Sequence, residues 1–264
     1  MRPATGVFHS TGFGIERGML YFLTKNRIMN YLKSINPYSG EMICEYREFS
    51  DEQIAGAIDR SYHAFSSFRS TSCNHRAELM LDLANRLKED ARKYGKLITA
   101  EMGKPIGEAV AEIEKCAWVC KYYARHAGGF LTGRREETDA MESYIRYEPL
   151  GPVLAVMPWN FPFWQVFRFT APALMAGNTV LLKHASNTQG CAHAIEELVK
   201  DSGFPGDVFI NLVIGSPRVK KVIVHPAVRA VTLTGSEAAG RSVAALAGEN
   251  LKKTVLELGG SNAF

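Results

Sequence analysis

The sequence has no apolar run approaching the roughly 18 residues that a membrane-spanning helix requires. Its net charge of +4 is small for 264 residues, and basic residues are interspersed with acidic ones, as in Arg134-Arg-Glu-Glu137. A nucleic-acid-binding surface would concentrate its basic residues instead. We therefore expect neither a membrane nor a nucleic acid among the partners of this protein.

Cysteines are also few, and their spacing matches no common metal site. The five are Cys44, Cys73, Cys116, Cys120 and Cys191, an odd number that leaves one over from any pairing. Cys116 and Cys120 lie four residues apart on one face of a predicted helix, but no other ligands cluster nearby. Buried small apolar side chains are therefore favoured over a metal site. We expect no metal, and a reducing, cytoplasmic location.

Residues 1–33 lack the periodicity of a helix or strand and the apolar core of a signal peptide. Met19 and Met29 are both plausible start sites. The segment is expected to be a poorly ordered extension of the domain that follows it.

The next part of the chain is predicted to be mostly helical. A turn at 34–41 leads into a short strand at 42–46, and the apolar spacing then predicts helices over 51–68, 74–102 and 106–127. Gly95 is a candidate for a bend or an interruption within the second helix. Residues 128–149 are rich in glycine, threonine and charge, which predicts a projecting β-hairpin.

From Val153 onward, apolar strands and amphipathic helices alternate, which is typical of a parallel sheet built from βαβ units. We predict strands at 153–157, 179–183, 208–213, 230–234 and 254–258. The intervening helices are predicted at 163–176, 188–201, 218–224 and 236–247. The fold class is therefore α/β, a Rossmann-like parallel sheet with flanking helices.

The stretch Pro158-Trp-Asn-Phe-Pro162 directly follows the first of these strands, at the sheet edge where ligands bind in open α/β folds. Two prolines rule out a continuing strand or helix, so a rigid loop is expected. Asn160 could cap the helix that begins near Pro162. Alternatively, its amide could stabilise an oxyanion in an apolar, water-poor loop.

Other strand ends also carry polar residues, each with an ordinary structural interpretation beside a functional one. Gly235-Ser-Glu-Ala-Ala-Gly240 is one glycine short of a dinucleotide-binding motif and could be an ordinary turn. Lys183 and Glu257 could be solvated strand-end residues, and Arg168 a surface residue on a helix. Lys104 is interpreted as a loop lysine, because no Gly-rich phosphate-binding loop surrounds it.

Three motifs occur in the order found in the aldehyde dehydrogenase superfamily: Pro158-Trp-Asn-Phe-Pro162, Thr234-Gly-Ser236 and Glu257-Leu-Gly-Gly260. The resemblance runs from about residue 34 to residue 264. The segments 164–168 and 182–185 are most similar to a bacterial branch of succinate-semialdehyde dehydrogenases. The fold implied is the dinucleotide-binding half of such an enzyme.

This resemblance implies specific roles for individual residues. Asn160 would supply the oxyanion hole, Glu257 would be the general base that activates water, and Arg168 would bind the substrate carboxylate. Lys183 would bind the adenosine ribose. The remaining implied cofactor-binding residues are Met157, Pro158, Trp159, Ser186, Thr234, Gly235, Ser236, Leu258 and Gly259.

The sequence departs from the family pattern at three of the positions considered. Ser186 stands where many NAD-specific relatives carry a Glu, so the cofactor is expected to be NAD or NADP. His184 replaces a usual proline, which leaves the geometry of its loop open. Phe169 stands where many relatives have a lysine implicated in proton relay.

The implied reaction is NAD(P)-dependent oxidation of a small aldehyde, succinate semialdehyde, to the carboxylic acid. The family's cysteine nucleophile lies beyond the motif at residue 257, and none of the five cysteines has that context. The chain is therefore interpreted as a fragment of an enzyme that forms homo-oligomers. The alternative is a non-catalytic nucleotide-binding or interaction module.

The resemblance also divides the chain. Residues 34–127 and 150–260 would form the NAD(P)-binding domain, and 128–149 the oligomerisation hairpin. The catalytic domain would begin at about residue 261.

Overall fold

The computed structural model describes residues 30–260, which belong almost entirely to a compact unit that starts at Tyr31. The sequence predictions for residues 1–29, and for a catalytic domain from about residue 261, lie outside the described residues. No helix within 30–260 is long and apolar enough to cross a membrane.

The unit begins with an antiparallel hairpin, β1 (Tyr31–Ile35) and β2 (Met42–Arg47). The prediction that poor order extends to residue 33 was wrong, because β1 pairs with β2 and buries Leu32 and Ser34 on one face. The Asn36 side chain holds the turn by accepting the backbone N–H of Tyr38 at 2.9 Å. The strand was missed because it is short and only two of its side chains are buried.

Four helices follow, and their ends are set by local chemistry. Helix α1 (Asp51–Phe68) starts with a capping box, in which Ser50 and Gln53 satisfy each other's backbone N–H groups. The remaining three are α2 (Cys73–Glu89), α3 (Ala91–Met102) and α4 (Ile106–Phe130).

The predicted single helix over 74–102 was wrong, since the chain breaks at Asp90 rather than bending at Gly95. Gly95 lies inside α3, where a Cβ atom would approach a side-chain carbon of Val110 to 2.8 Å. The glycine therefore allows α3 and α4 to pack closely and does not interrupt the helix.

Helix α4 extends through Phe130, so the predicted hairpin at 128–149 begins later than expected. Its paired residues are limited to β3 (Arg134–Arg135) and β4 (Tyr144–Ile145), which are antiparallel and exposed. The hairpin therefore has little hydrogen-bonded structure of its own.

A five-stranded parallel sheet forms the centre of the unit, with the strand order β7-β6-β5-β8-β9. The strands are β5 (Pro152–Val156), β6 (Thr179–Lys183), β7 (Phe209–Asn211), β8 (Ala230–Gly235) and β9 (Lys253–Leu258). The helices between them are α5 (Trp164–Met175), α6 (Gln189–Asp201), α7 (Val219–Val224) and α8 (Glu237–Glu249). The predicted fold class is confirmed, and the element bounds differ from the prediction by at most two residues.

The core lies on both faces of this sheet, because alternate residues of a strand point to opposite sides. Leu154 and Leu181 pack with α1, α7 and α8 on one face. Val180 and Leu182 pack with α2 to α6 on the other. Strands β5 and β6 are therefore apolar between their ends, and the polar residues of β6 lie at its two ends.

Candidate active site at the carboxyl edge of the sheet

The strand order places a crevice between the ends of β5 and β8. From β5 the chain adds β6 and β7 on one side, and it then returns to add β8 and β9 on the other. The loop 158–162 leaves β5 and the turn at Gly235 leaves β8, so the two diverge from neighbouring strands. In open α/β sheets, ligands bind at such a switch point.

A cleft of about 540 Å³ at this edge is lined by most of the residues that the sequence singled out. Its lining includes Pro158, Trp159, Asn160, Arg168, Thr234, Gly235, Glu257, Leu258 and Gly259. Met157, Lys183, Ser186 and Ser236 do not line this cleft. Met157 lines a neighbouring apolar cavity between α5 and the β8–β9 face of the sheet.

Asn160 is exposed in the cleft and does not cap a helix. Helix α5 has Phe163 at its N-cap position and no capping side chain of its own. Of the two interpretations of Asn160, the helix cap is therefore wrong. Within residues 30–260 the loop is partly open to solvent, since Trp159 is 51% exposed. The amide of Asn160 makes no hydrogen bond within residues 30–260, so it is available to a ligand oxygen.

The start of α5 is instead capped from another helix. Oε1 of Glu112, on α4, accepts the backbone N–H groups of Phe163 and Trp164 at 2.9 and 3.0 Å. Glu112 also forms a buried ion pair with Lys104, whose ammonium lies 3.6 Å from the centre of the Phe161 ring. Lys104 does lie in a loop between two helices, but it is buried, and it supports the loop that carries Asn160.

A second buried carboxylate holds the start of α6. Glu101 accepts the backbone N–H groups of Gly190 and Cys191, each at 2.8 Å, and also the hydroxyl of Ser34. Carboxylates are favourable at helix N-termini because the helix dipole is positive there. Residues 101–104 therefore support the starts of both α5 and α6. Glu101 binds α6 directly, and Lys104 pairs with Glu112, which caps α5.

The resemblance to the family includes residues 101–105 as a turn that supports the active site, but sequence reasoning assigned no role to Glu112, although its position on the helix was a signal. It falls within the apolar stripe formed by Ala109, Ile113 and Cys116 on α4. A charged residue on the buried face of an amphipathic helix requires a partner.

Lys183 ends β6 with only 6% of its surface exposed, so it is not the solvated strand-end residue considered above. Burial lowers the pKa of its ammonium, and the charge of Glu48 opposes that shift. The ammonium makes no hydrogen bond or ion pair within residues 30–260, which leaves it available to ligand oxygens. Ser186 is exposed three residues further on.

His184 is fully buried between the loops that follow β5 and β6. Its Nε2 lies 2.9 Å from the carbonyl oxygen of Pro162. Its Nδ1 accepts the backbone N–H of Ala185 at 2.8 Å and lies 2.9 Å from Oγ1 of Thr188. The loop geometry left open by the missing proline is thus set by this side chain.

The turn between β8 and α8 has the features of a capped helix start. Ser236 accepts the backbone N–H of Ala239 at 3.3 Å, and Glu237 lies in the first turn. The first N–H groups of a helix have no partner within it and can bind anions. A Cβ atom on Gly240 would approach Leu258 to 2.5 Å, so this glycine allows α8 to pack against β9.

Arg168 lies on α5 with its side chain lining the cleft. Its Nη1 lies 3.6 Å from Oε2 of Glu257, and its Nη2 donates to Oγ1 of Thr234 at 3.3 Å. The side chain of Glu257 is 53% exposed. The arrangement places a guanidinium, a carboxylate and the free amide of Asn160 around one space.

The cysteines do not contribute to this cleft. Cys116, Cys120 and Cys191 are buried, and burial raises the pKa of each thiol. Within residues 30–260, no group of three or more His, Cys, Asp and Glu side chains is arranged to hold a metal ion.

Comparison with known proteins supports the motif assignment. The sequence profile of the "Aldehyde dehydrogenase family" matches residues 22–264. A probable NADP(+) succinate-semialdehyde dehydrogenase of Synechocystis sp. is 46% identical over 233 residues, covering 88% of this chain and 51% of that protein. An NADP(+) succinate-semialdehyde dehydrogenase of Mycobacterium tuberculosis is 44% identical over 236 residues, covering 88% and 52%.

The fold also matches a solved structure, the succinic semialdehyde dehydrogenase of Streptococcus pyogenes in complex with NADP+. The TM-score is 0.85 at 38% identity, and the match covers 89% of this chain and 52% of that one. The chain spans about half the length of the curated relatives it matches. From its motifs, fold and sequence profile, this chain belongs to the aldehyde dehydrogenase family.

Proposed function

We propose that this chain is the cofactor-binding half of an NAD(P)-dependent aldehyde dehydrogenase, whose substrate is succinate semialdehyde. The observation that carries the proposal is the position of Arg168 beside Glu257 in the cleft that Asn160 also lines. The relatives named above, which are described as succinate-semialdehyde dehydrogenases using NADP(+), support the same substrate and cofactor.

The described residues fit a dinucleotide at this edge. The buried Lys183 ammonium has no partner within 30–260, which suits the ribose hydroxyls. The backbone N–H groups at the start of α8, next to Thr234, Gly235 and Ser236, suit a pyrophosphate. Met157, Pro158, Trp159, Leu258 and Gly259 would line the rest of the cofactor site. Ser186 leaves room for a 2′-phosphate without like-charge repulsion.

In the proposed mechanism, each polar side chain of the cleft has one task. Arg168 binds the substrate carboxylate, and the Asn160 amide donates a hydrogen bond to the carbonyl oxygen as negative charge develops on it. Glu257 accepts a proton from the attacking water. The bound cofactor supplies the hydride acceptor.

The proposed reaction also needs a cysteine thiolate, and no cysteine lines the described cleft. Since the chain spans about half the length of its relatives, we assign the activity to a protein that contains this chain together with that thiolate. The absence of a cysteine from the described cleft also favours a second candidate, a non-catalytic nucleotide-binding module. Reading the gene beyond codon 264 for an in-frame cysteine separates the two.

The same proposal extends to the organisation of the protein. Residues 34–127 and 150–260 would form the NAD(P)-binding domain, and the catalytic domain would begin at about residue 261. The exposed hairpin 128–149 would contribute to a homo-oligomer in the cytoplasm. Its two strands are only two residues long and exposed, which supports a role as a surface that binds a second subunit.

The proposed substrate is tested by Arg168→Ala in the catalytically complete protein. Loss of a charge-assisted contact to the substrate carboxylate should cost roughly 1.5–3 kcal/mol. This corresponds to about a ten- to hundredfold fall in kcat/KM for succinate semialdehyde. Uncharged butanal should be oxidised as before.

Arg241→Ala is the matched control, because Arg241 is an exposed arginine paired with Glu237 on α8. It should leave both substrates unaffected. An equal loss on both aldehydes in Arg168→Ala would mean that Arg168 only orders Glu257 and Thr234, and the carboxylated substrate would lose its support.

A further inference from the structure

The peptide group between Pro162 and Phe163 is held at both of its polar atoms by buried side chains. Its carbonyl oxygen is bound by His184 from the loop after β6, at 2.9 Å. Its N–H is bound by Glu112 from helix α4, also at 2.9 Å. This peptide lies two residues after Asn160, at the base of the loop that presents the candidate oxyanion group.

The hydrogen bonds of His184 determine its tautomer. The backbone N–H of Ala185 can only donate, so Nδ1 of His184 must carry a lone pair. The hydroxyl of Thr188 can donate to the same nitrogen. The ring proton of the neutral side chain is therefore on Nε2, where it donates to Pro162. A protonated ring would place an Nδ1–H against the N–H of Ala185.

The surroundings also keep this ring neutral. The pKa of His184 is lowered to about 4, chiefly by burial and in smaller part by the positive charge of Lys183, while the bond to Pro162 opposes the shift. The donor to Pro162 is therefore present throughout the neutral pH range. A histidine that keeps one tautomer can act as a fixed link rather than a switch.

We propose that His184 is a positioning residue that fixes the loop carrying Asn160 relative to the end of strand β6. The link matters because, on the function proposed above, Lys183 at the end of β6 binds the cofactor and Asn160 on the loop after β5 binds the substrate, so the two must keep a fixed separation. Glu112 holds the N–H of the same peptide and so ties it to helix α4. The His184 bond holds the carbonyl oxygen and ties the peptide to the end of β6. Without it, the loop can move away from β6 although α5 stays capped.

Two substitutions separate the bond to Pro162, which bridges the two loops, from the bonds to Ala185 and Thr188, which lie within one loop. His184→Gln places an amide N–H near the original Nε2, so it can still donate to Pro162. His184→Asn is shorter; its amide oxygen can accept from Ala185, but its N–H cannot reach Pro162. His193→Gln is the matched control, because His193 lies on helix α6 and stacks on Tyr46 of strand β2.

The first readout is amide hydrogen exchange in the purified, catalytically complete protein that contains this chain. We expect His184→Asn to speed exchange at residues 160–164 by about tenfold, the effect of one lost buried hydrogen bond. His184→Gln and His193→Gln should match the wild type. Equal protection in His184→Asn and the wild type, with thermal unfolding unchanged, would overturn the proposal.

The second readout is NADP+ affinity, measured by titration of the same proteins. His184→Asn should bind about tenfold more weakly, with His184→Gln restoring affinity. Equally weak NADP+ binding in His184→Gln and His184→Asn would mean that the bonds to Ala185 and Thr188 matter and the bond to Pro162 does not. If the wild type binds no NADP+, the proposed function fails, and the exchange result still decides whether His184 positions the loop.

The third readout needs no substitution. The ¹⁵N spectrum of the His184 ring in the wild-type chain should show a protonated Nε2 and an unprotonated Nδ1 from pH 6 to 8. A protonated Nδ1, or a charged ring in that range, would contradict the link to Pro162.

Discussion

Strands β6 and β9 share the sequence Thr-Val-Leu, at residues 179–181 and 254–256, yet their environments are opposite. Every residue of β6 is buried, because the strand lies between β5 and β7 with helices on both faces. In β9 no residue is fully buried, and within residues 30–260 the strand pairs with β8 alone. The same local pattern therefore makes a strand in both places, and the position in the sheet decides its burial.

The contrast continues into the candidate site. At the end of β6, Lys183 and His184 are buried and the geometry of the loop is fixed by hydrogen bonds. At the end of β9, Glu257 is half exposed and meets Arg168 at 3.6 Å across an open cleft. The half of the site near β6 is supported by contacts within the chain, and the half near β9 has few of them.

The largest difference in the free energy of unfolding should come from removing the charge of one buried carboxylate, Glu112, and of one exposed carboxylate, Glu257 at the end of β9. Glu112→Gln leaves the buried Lys104 ammonium without its partner, which should cost about 3–5 kcal/mol of the free energy of unfolding. Glu257→Gln removes a partly exposed charge and should cost less than about 1 kcal/mol. Urea titrations of both variants test this, and similar costs would mean that the two ends are equally supported.

The burial of His184 should make the free energy of unfolding depend on pH, by about 3 kcal/mol more in the wild type than in a variant without this histidine. Its pKa is lowered from 6.5 to about 4 in the folded chain, so the unfolded chain binds a proton first as the pH falls. Stability should therefore fall between pH 6.5 and 4 by about 3 kcal/mol more in the wild type than in His184→Gln. Parallel curves of unfolding free energy against pH for the two proteins would contradict this.

Matched valines test the strands themselves. Val180 on β6 is fully buried, whereas Val255 on β9 is 60% exposed. Val180→Ala should cost about 2 kcal/mol, from lost apolar burial and the cavity left behind. Val255→Ala should stay within about 0.5 kcal/mol. A comparable loss at Val255, measured by thermal unfolding, would show that β9 is buried in solution.

The smallest effect is expected at the exposed tip of the β6 loop. Ser186→Glu would place a carboxylate near the proposed 2′-phosphate, and two like charges in a solvated site repel by roughly 1 kcal/mol. The dissociation constant for NADP+ should rise about fivefold while that for NAD+ stays unchanged. Ser186→Gln, with similar size and no charge, should bind both as the wild type does. Equal weakening of the two cofactors would place the 2′-phosphate elsewhere.

Prediction from the sequence failed where distant residues settled a local choice. Gly95 has the features of a helix bend, but it lies at a close contact between α3 and α4, and the break falls at Asp90. Asn160 has the features of an N-cap, but Glu112 occupies that role. Strand β1 is short and its apolar residues Tyr31, Leu32 and Ile35 do not alternate, so it is not recognised until β2 is paired with it.

The sequence by itself determined the parallel α/β fold, because apolar strands alternate with amphipathic helices and turn residues mark nearly every boundary between them. It also determined the order of the motifs, and therefore the family. Only the tertiary structure decided how the Asn160 loop is held, because both partners of the Pro162–Phe163 peptide are remote in sequence. His184 lies 22 residues from Pro162, and Glu112 lies 51 residues from Phe163. No local pattern specifies such contacts, since buried polar groups are paired only when packed helices and strands bring them together.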